Sequence, residues 1–128
     1  MDDKPLNIFL GPDGILVIQF PNLGRRAFDE YRAYLEKFRD RLQAGILLLH
    51  DLRQAGYPSV ASLGFYEGVF DEFEFPKMFL AILIAPQMSP QVYESLKRRM
   101  RPEVVEVRIF IEEAAALGWL LSFKPPED

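Results

Sequence analysis

Two adjacent residues, His50 and Asp51, are the first place to look for chemistry in this chain, because a carboxylate-oriented imidazole is a familiar general base. They end the run Ile46-Leu47-Leu48-Leu49, whose lack of alternation fits a strand covered on both faces. Neighbours on a strand point to opposite faces, so the two side chains are not expected to meet. His50 reads instead as a strand-end histidine satisfied by hydrogen bonds. Glu112-Glu113 offers a pair of carboxylates, yet acidic residues in a first helical turn complement the positive end of the helix dipole, and capping is the simpler role. No HExxH, GxSxG, GxxxxGKS/T or GxGxxG occurs. With no convergent nucleophile and base and one histidine in the chain, neither enzymatic activity nor a metal or other cofactor is expected.

Four positive charges fall within Lys97-Arg98-Arg99-Met100-Arg101. At a helix end they interact favourably with the negative terminus, which is the solvated reading. The functional reading makes Lys97, Arg98, Arg99 and Arg101 an anion patch for an acidic partner or a membrane surface. No nucleic-acid recognition motif accompanies them and the net charge is −4, so nucleic acid is not an expected partner. A further cluster is aromatic. Leu63, Tyr66, Phe70 and Phe73 recur at helical spacing, while Phe65 and Val69 lie about 100° or more around the same helix. Two readings stand: a helix sunk in a crowded interior, or an exposed apolar patch rimmed by Glu67, Asp71, Glu72 and Glu74 that binds another protein or a second copy.

The elements that must position these residues follow from apolar spacing and turn residues. Leu6 to Leu10 and Ile15 to Phe20 flank Gly11-Pro12-Asp13-Gly14, which predicts an opening hairpin. Phe28, Tyr31, Leu35, Phe38 and Leu42 predict an amphipathic helix ending near Gly45. After the Ile46 to Leu49 strand, the aromatic helix runs from Val60 to Phe73 and Pro76 closes it. Phe79 to Ala85 is a second buried strand. Ser89-Pro90 matches an N-cap with proline at the first helical position, and that helix runs to about Met100 before Pro102. Val105, Val107, Ile109 and Ile111 alternate with Glu106 and Arg108 as a half-exposed strand, before a short last helix from Glu112-Glu113. The order β-β-α-β-α-β-α-β-α predicts an α/β fold. Its mixed sheet starts with a hairpin and continues through parallel strands joined by right-handed crossovers, with helices packed against it.

Composition narrows the classes further. At 128 residues the chain fits one domain, with a core from about residue 6 to about residue 121. A hydrophobic content of 49% argues against disorder, and the apolar runs are too short for a transmembrane segment. There are no cysteines and the first residues are acidic, so a cytoplasmic location is expected.

The element order, the strand end Asp51-Leu52, and the closing run Val107-Arg108-Ile109-Phe110-Ile111-Glu112-Glu113-Ala114-Ala115-Ala116-Leu117-Gly118-Trp119-Leu120 resemble the STAS domain, named for sulphate transporters and anti-sigma factor antagonists. The ending is especially similar to the STAS-like branch related to bacterial sporulation regulators and sometimes grouped with lipid-binding Sec14-type folds. The likeness extends from Leu6 to Leu121. Partner-switching members of that family carry an Asp-Leu strand end, then an Asp-Ser-Ser/Thr-Gly-Leu-type segment at the start of the second helix. A partner kinase phosphorylates one of its hydroxyls. Here Gly56-Tyr57-Pro58-Ser59-Val60 occupies that place, and without a gap the modified position falls on Pro58. With the loop shifted, Ser59 or Ser62 takes the phosphate, which a helix N-terminus favours electrostatically. Ser59 also reads as an ordinary N-cap.

The resemblance implies a non-enzymatic regulatory module that works by protein interaction in a bacterial signalling or partner-switching pathway. Its expected contact residues are Asp51, Leu52, Tyr57, Ser59, Ser62, Phe65, Tyr66 and Val69, with Ser59 and Ser62 as the phosphorylation candidates. The expected partner is a regulatory kinase or a second copy in a homodimer. Two alternatives stay open. One is a small-ligand carrier in which Tyr57, Phe65 and Tyr66 enclose a lipid or nucleotide. The other is a structural domain that self-assembles through the aromatic helix.

Overall fold

The structure, a computed structural model, describes residues 6–11, 13–37, 46–56, 59–72, 78–99 and 105–123. β1 (Asn7–Leu10) and β2 (Ile15–Gln19) form the opening hairpin. Three strands then alternate with helices: α1 (Arg25–Lys37), β3 (Ile46–Asp51), α2 (Val60–Glu72), β4 (Met78–Leu83), α3 (Pro90–Arg99) and β5 (Val105–Phe110), with α4 (Glu113–Leu121) last. The five strands lie in the order β1-β2-β3-β4-β5, antiparallel in the first pair and parallel in the others. The expected mixed α/β sheet is therefore what the chain forms. The helix ends assigned to Phe38, Leu42, Gly45, Phe73, Pro76, Met100 and Pro102 lie outside the described residues, as do Tyr57, Pro58 and Arg101.

Local chemistry accounts for the hairpin. The Gly14 N–H donates to the Gly11 carbonyl at 3.1 Å, and the Gly11 N–H donates to the Ile15 carbonyl at 2.8 Å. Gly14 has φ +82°, a left-handed conformation that glycine adopts without a Cβ clash. Across the pair, Asn7 Nδ2 donates to Gln19 Oε1 at 2.6 Å, which joins residues in direct register.

Right-handed crossovers along a sheet whose strands never reverse order send α1, α2 and α3 to one face. α4 follows the last strand and lies on the other. Strand alternation gives each face its own core. Leu16, Ile18, Leu48, Leu80, Ile82 and Val107 join Phe28, Tyr31, Leu35, Tyr66 and Tyr93 on the first face. Ile15, Leu47, Leu49, Ala81 and Leu83 meet Ala116 and Leu120 on the second. Both faces of β3 are buried along its whole length, which explains its unbroken apolar run. Covering is unequal, because α4 packs over β3, β4 and β5 and leaves Phe9 of β1 44% exposed.

Candidate functional site

β3 delivers His50 and Asp51 to opposite faces of the sheet, as alternation requires. His50 is wholly buried under α1 and α2. Its Nε2 lies 2.8 Å from the Tyr31 hydroxyl and its Nδ1 3.2 Å from the Tyr66 hydroxyl. The Phe20 ring packs edge-on to the imidazole at 5.2 Å between centroids. A neutral imidazole has one N–H and one bare nitrogen, so one tyrosine accepts from it and the other donates to it. Desolvation pushes the His50 pKa down to about 3. The same burial raises both tyrosine hydroxyls, with Tyr31 and Tyr93 adding to the shift at Tyr66. At neutral pH the group is uncharged and closed to solvent, and its chemistry is that of an interior polar lock.

Asp51 faces the α4 side, where Arg53 grips it. Arg53 Nε donates to Asp51 Oδ1 at 3.0 Å and Nη2 to Oδ2 at 2.8 Å, while the Arg53 backbone N–H donates to Oδ1 at 3.1 Å. The same Nη2 reaches Glu113 Oε1 at 3.3 Å in the first turn of α4. The hydrogen bond to Asp51, followed by the two nearby negative charges, raises the Arg53 pKa against a partial loss of hydration. This clamp ties the end of β3 to the start of α4. Glu112 occupies the N-cap of α4 without a side-chain capping bond, while Glu113 in the first turn meets Arg53.

Between the end of β3 and α2 the chain is pinned at several points. The Leu52 N–H donates to the Leu83 carbonyl at 2.8 Å, the Ala55 N–H to the Leu52 carbonyl at 3.0 Å, and the Tyr93 hydroxyl to the Gly56 carbonyl at 3.2 Å. Ser59 then caps α2: its Oγ accepts from the Ser62 N–H at 3.1 Å and lies 3.0 Å from Ser62 Oγ. Ser62 Oγ donates to the Leu23 carbonyl at 2.8 Å. Because that bond uses the single hydroxyl proton of Ser62, the Ser59 hydroxyl is the donor between the two serines.

The expected contact residues divide sharply. Ser59 is exposed, and Phe65 is half-buried against Phe28 with centroids 5.8 Å apart. Asp51 is buried beneath its arginine, and Leu52, Ser62, Tyr66 and Val69 belong to the interior. The expectation that Leu52, Ser62, Tyr66 and Val69 meet a partner is corrected by that burial, and so is the idea of an exposed patch built on Val69. α2 lies between α1 and α3 as well as over the sheet, so more than one of its sides is covered. Ser62, Tyr66 and Val69, spaced by four and three residues, form its inward stripe. Nor does Tyr66 line an open ligand chamber, since Phe20, Phe28 and His50 pack around it.

The basic cluster is divided by helical geometry. Arg99 Nη1 lies 3.4 Å from Glu67 Oε2 on α2, whereas Lys97 and Arg98 line a groove with Glu94, four residues of β5 and Trp119. That groove has a volume of about 730 Å³. Arg53, Tyr31, Arg108 and Trp119 do not stand out in the sequence as site residues. A signal existed for Arg53, since an arginine two positions after an aspartate can close both a turn and an ion pair.

Among the described residues, no group of His, Cys, Asp and Glu is placed to hold a metal ion, and no helix is long and apolar enough to cross a membrane. Compared with known proteins, the chain matches no protein-family model and no curated sequence. Fold and site together define an α/β protein with a locked histidine on one face of its central strand. Beyond that strand lies an exposed serine at a helix start.

Proposed function

We propose that this chain is a STAS-like, non-enzymatic regulatory module of a bacterial signalling or partner-switching pathway, acting in the cytoplasm and read by a protein partner at the segment between β3 and α2. The observation that carries the reading is Ser59, an exposed residue that caps α2 at the far end of the segment leaving the carboxyl end of a central parallel strand. Phosphate there meets the positive end of the helix and breaks the hydroxyl's present bond to Ser62, so modification changes both the charge and the shape of the contact surface. Ser59 is the preferred acceptor over Ser62, whose hydroxyl is buried and committed to Leu23. A regulatory kinase is the partner that fits this chemistry.

The test combines mass spectrometry of the protein from its native cells with capture by the wild type, Ser59→Ala and Ser59→Asp. The expected result is phosphate on Ser59, and a bound protein retained by Ser59→Ala but released by Ser59→Asp. An unmodified Ser59 across growth conditions, together with equal capture by Ser59→Asp, overturns the proposal.

A further inference from the structure

We infer that the outer edge of β5 is a docking site for an extended acidic segment of a partner protein, added to the sheet alongside β5. This surface lies beyond β4 from the segment after β3 and is independent of the reading given above. Among the described residues β5 has a strand neighbour on one side only. The Ile84 N–H donates to the Phe110 carbonyl at 2.9 Å, so Phe110 turns its backbone groups toward β4. In a parallel pair successive residues alternate in this respect. Glu106 and Arg108 therefore also face β4, while Val107 and Ile109 direct their N–H and carbonyl groups outward.

The groove follows that edge. Its lining takes Val105 and Val107 from one face of β5, and Glu106 and Arg108 from the other, with α3 and Trp119 as walls. Such a floor suits strand addition, in which backbone bonds supply affinity and side pockets read alternate residues. Charge selects the partner. Lys97, Arg98 and Arg108 line the groove against Glu94 and Glu106, leaving cations in excess. Arg108 sits over the Phe110 ring at 5.5 Å, which holds its guanidinium on the α4 side.

An added strand alternates its side chains between the same two faces. Residues on the α3 side meet Lys97 and Arg98 and suit glutamate or aspartate. Those on the α4 side meet the half-buried Trp119 indole beside Arg108 and suit an apolar residue. The recognised pattern is thus acidic-apolar alternation over about six residues, the usual length of a strand. Charged side chains on an edge strand also discourage unwanted pairing, and here Lys97 and Arg98 of the neighbouring α3 turn that protection into a preference.

The probe is a fluorescent peptide of alternating glutamate and leucine, titrated against the full chain, with a lysine-leucine peptide as control. The expected result is binding by the glutamate peptide that weakens with salt, accompanied by slower hydrogen exchange at the Val107 and Ile109 amides. The double variant Lys97→Glu, Arg98→Glu should bind at least ~tenfold more weakly while keeping its circular dichroism spectrum. Equal binding of the lysine peptide, or binding without protection of those amides, overturns the inference. So does unchanged affinity in the charge-reversed variant. If inorganic phosphate displaces the peptide completely at equal concentration, the groove is a simple anion site and the inference also fails.

Discussion

His50 and Asp51 are neighbours in the chain and live in different environments. On the His50 side three helices cover the sheet, and the imidazole is held by two tyrosine hydroxyls inside an aromatic shell. On the Asp51 side one helix covers part of the sheet, and the carboxylate is held by a half-exposed arginine that also reaches α4. The difference separates two uses of polarity. Buried polar groups fix which way the packed layer sits, because a misplaced partner leaves a donor or acceptor unpaired. A charge clamp at the rim instead joins two elements loosely enough for solvent and partners to compete.

Removing the histidine tests the first half of that contrast and carries the largest expected effect. His50→Ala leaves a cavity and strips both tyrosine hydroxyls of their shared partner, costing about 3–5 kcal/mol of stability. Urea unfolding measures it. A loss below about 1 kcal/mol, the range of an exposed site, would show that the lock contributes little and would erase the contrast.

Acid sharpens the same point through linkage. The folded pKa of His50 is lowered to about 3 from 6.5, so between those values the unfolded chain binds a proton that the folded chain refuses. The histidine's contribution is therefore fully present above pH 6.5 and is lost as pH falls toward 3. The expected slope is about 1.4 kcal/mol per pH unit. His50→Gln, which keeps a polar side chain without titrating, should lose that slope between those limits. An unchanged acid limb in the variant would assign it to other groups.

The sequence made the element order, the hairpin and both buried strands legible, because each rests on local pattern: turn glycines, unbroken apolar runs on β3 and β4, and three-and-four spacing on α1. The orientation of α2 was not legible. Its apolar residues surround the axis, so periodicity gives no direction, and the inward stripe depends on Ser62 bonding Leu23 and Tyr66 bonding His50. The first of those bonds spans 39 residues of sequence, a separation at which no local pattern announces a partner. Of the candidate site, the capping role of Ser59 was readable from residue type and position. The division of the basic cluster between Glu67 and the groove was not, because it depends on what α2 and β5 place beside α3.

Cutting the clamp has the smallest expected effect and decides whether the Asp51 side is as loose as its exposure suggests. Arg53→Ala removes two side-chain bonds to Asp51 and the link to Glu113, while the residue 53 backbone N–H still serves the carboxylate. Because the arginine side chain is 42% exposed, solvent screens much of the interaction and the expected cost is about 1 kcal/mol. The change should be local: amides of α4 exchange faster, while those of β3 and α2 keep their protection. Added salt should diminish the difference between wild type and variant, since it weakens the wild-type clamp. A cost equal to that of His50→Ala, or faster exchange spread across both faces, would mean that the clamp and the buried lock stabilise one cooperative unit. In that case the two sides of β3 differ in chemistry but not in the work they do for the fold.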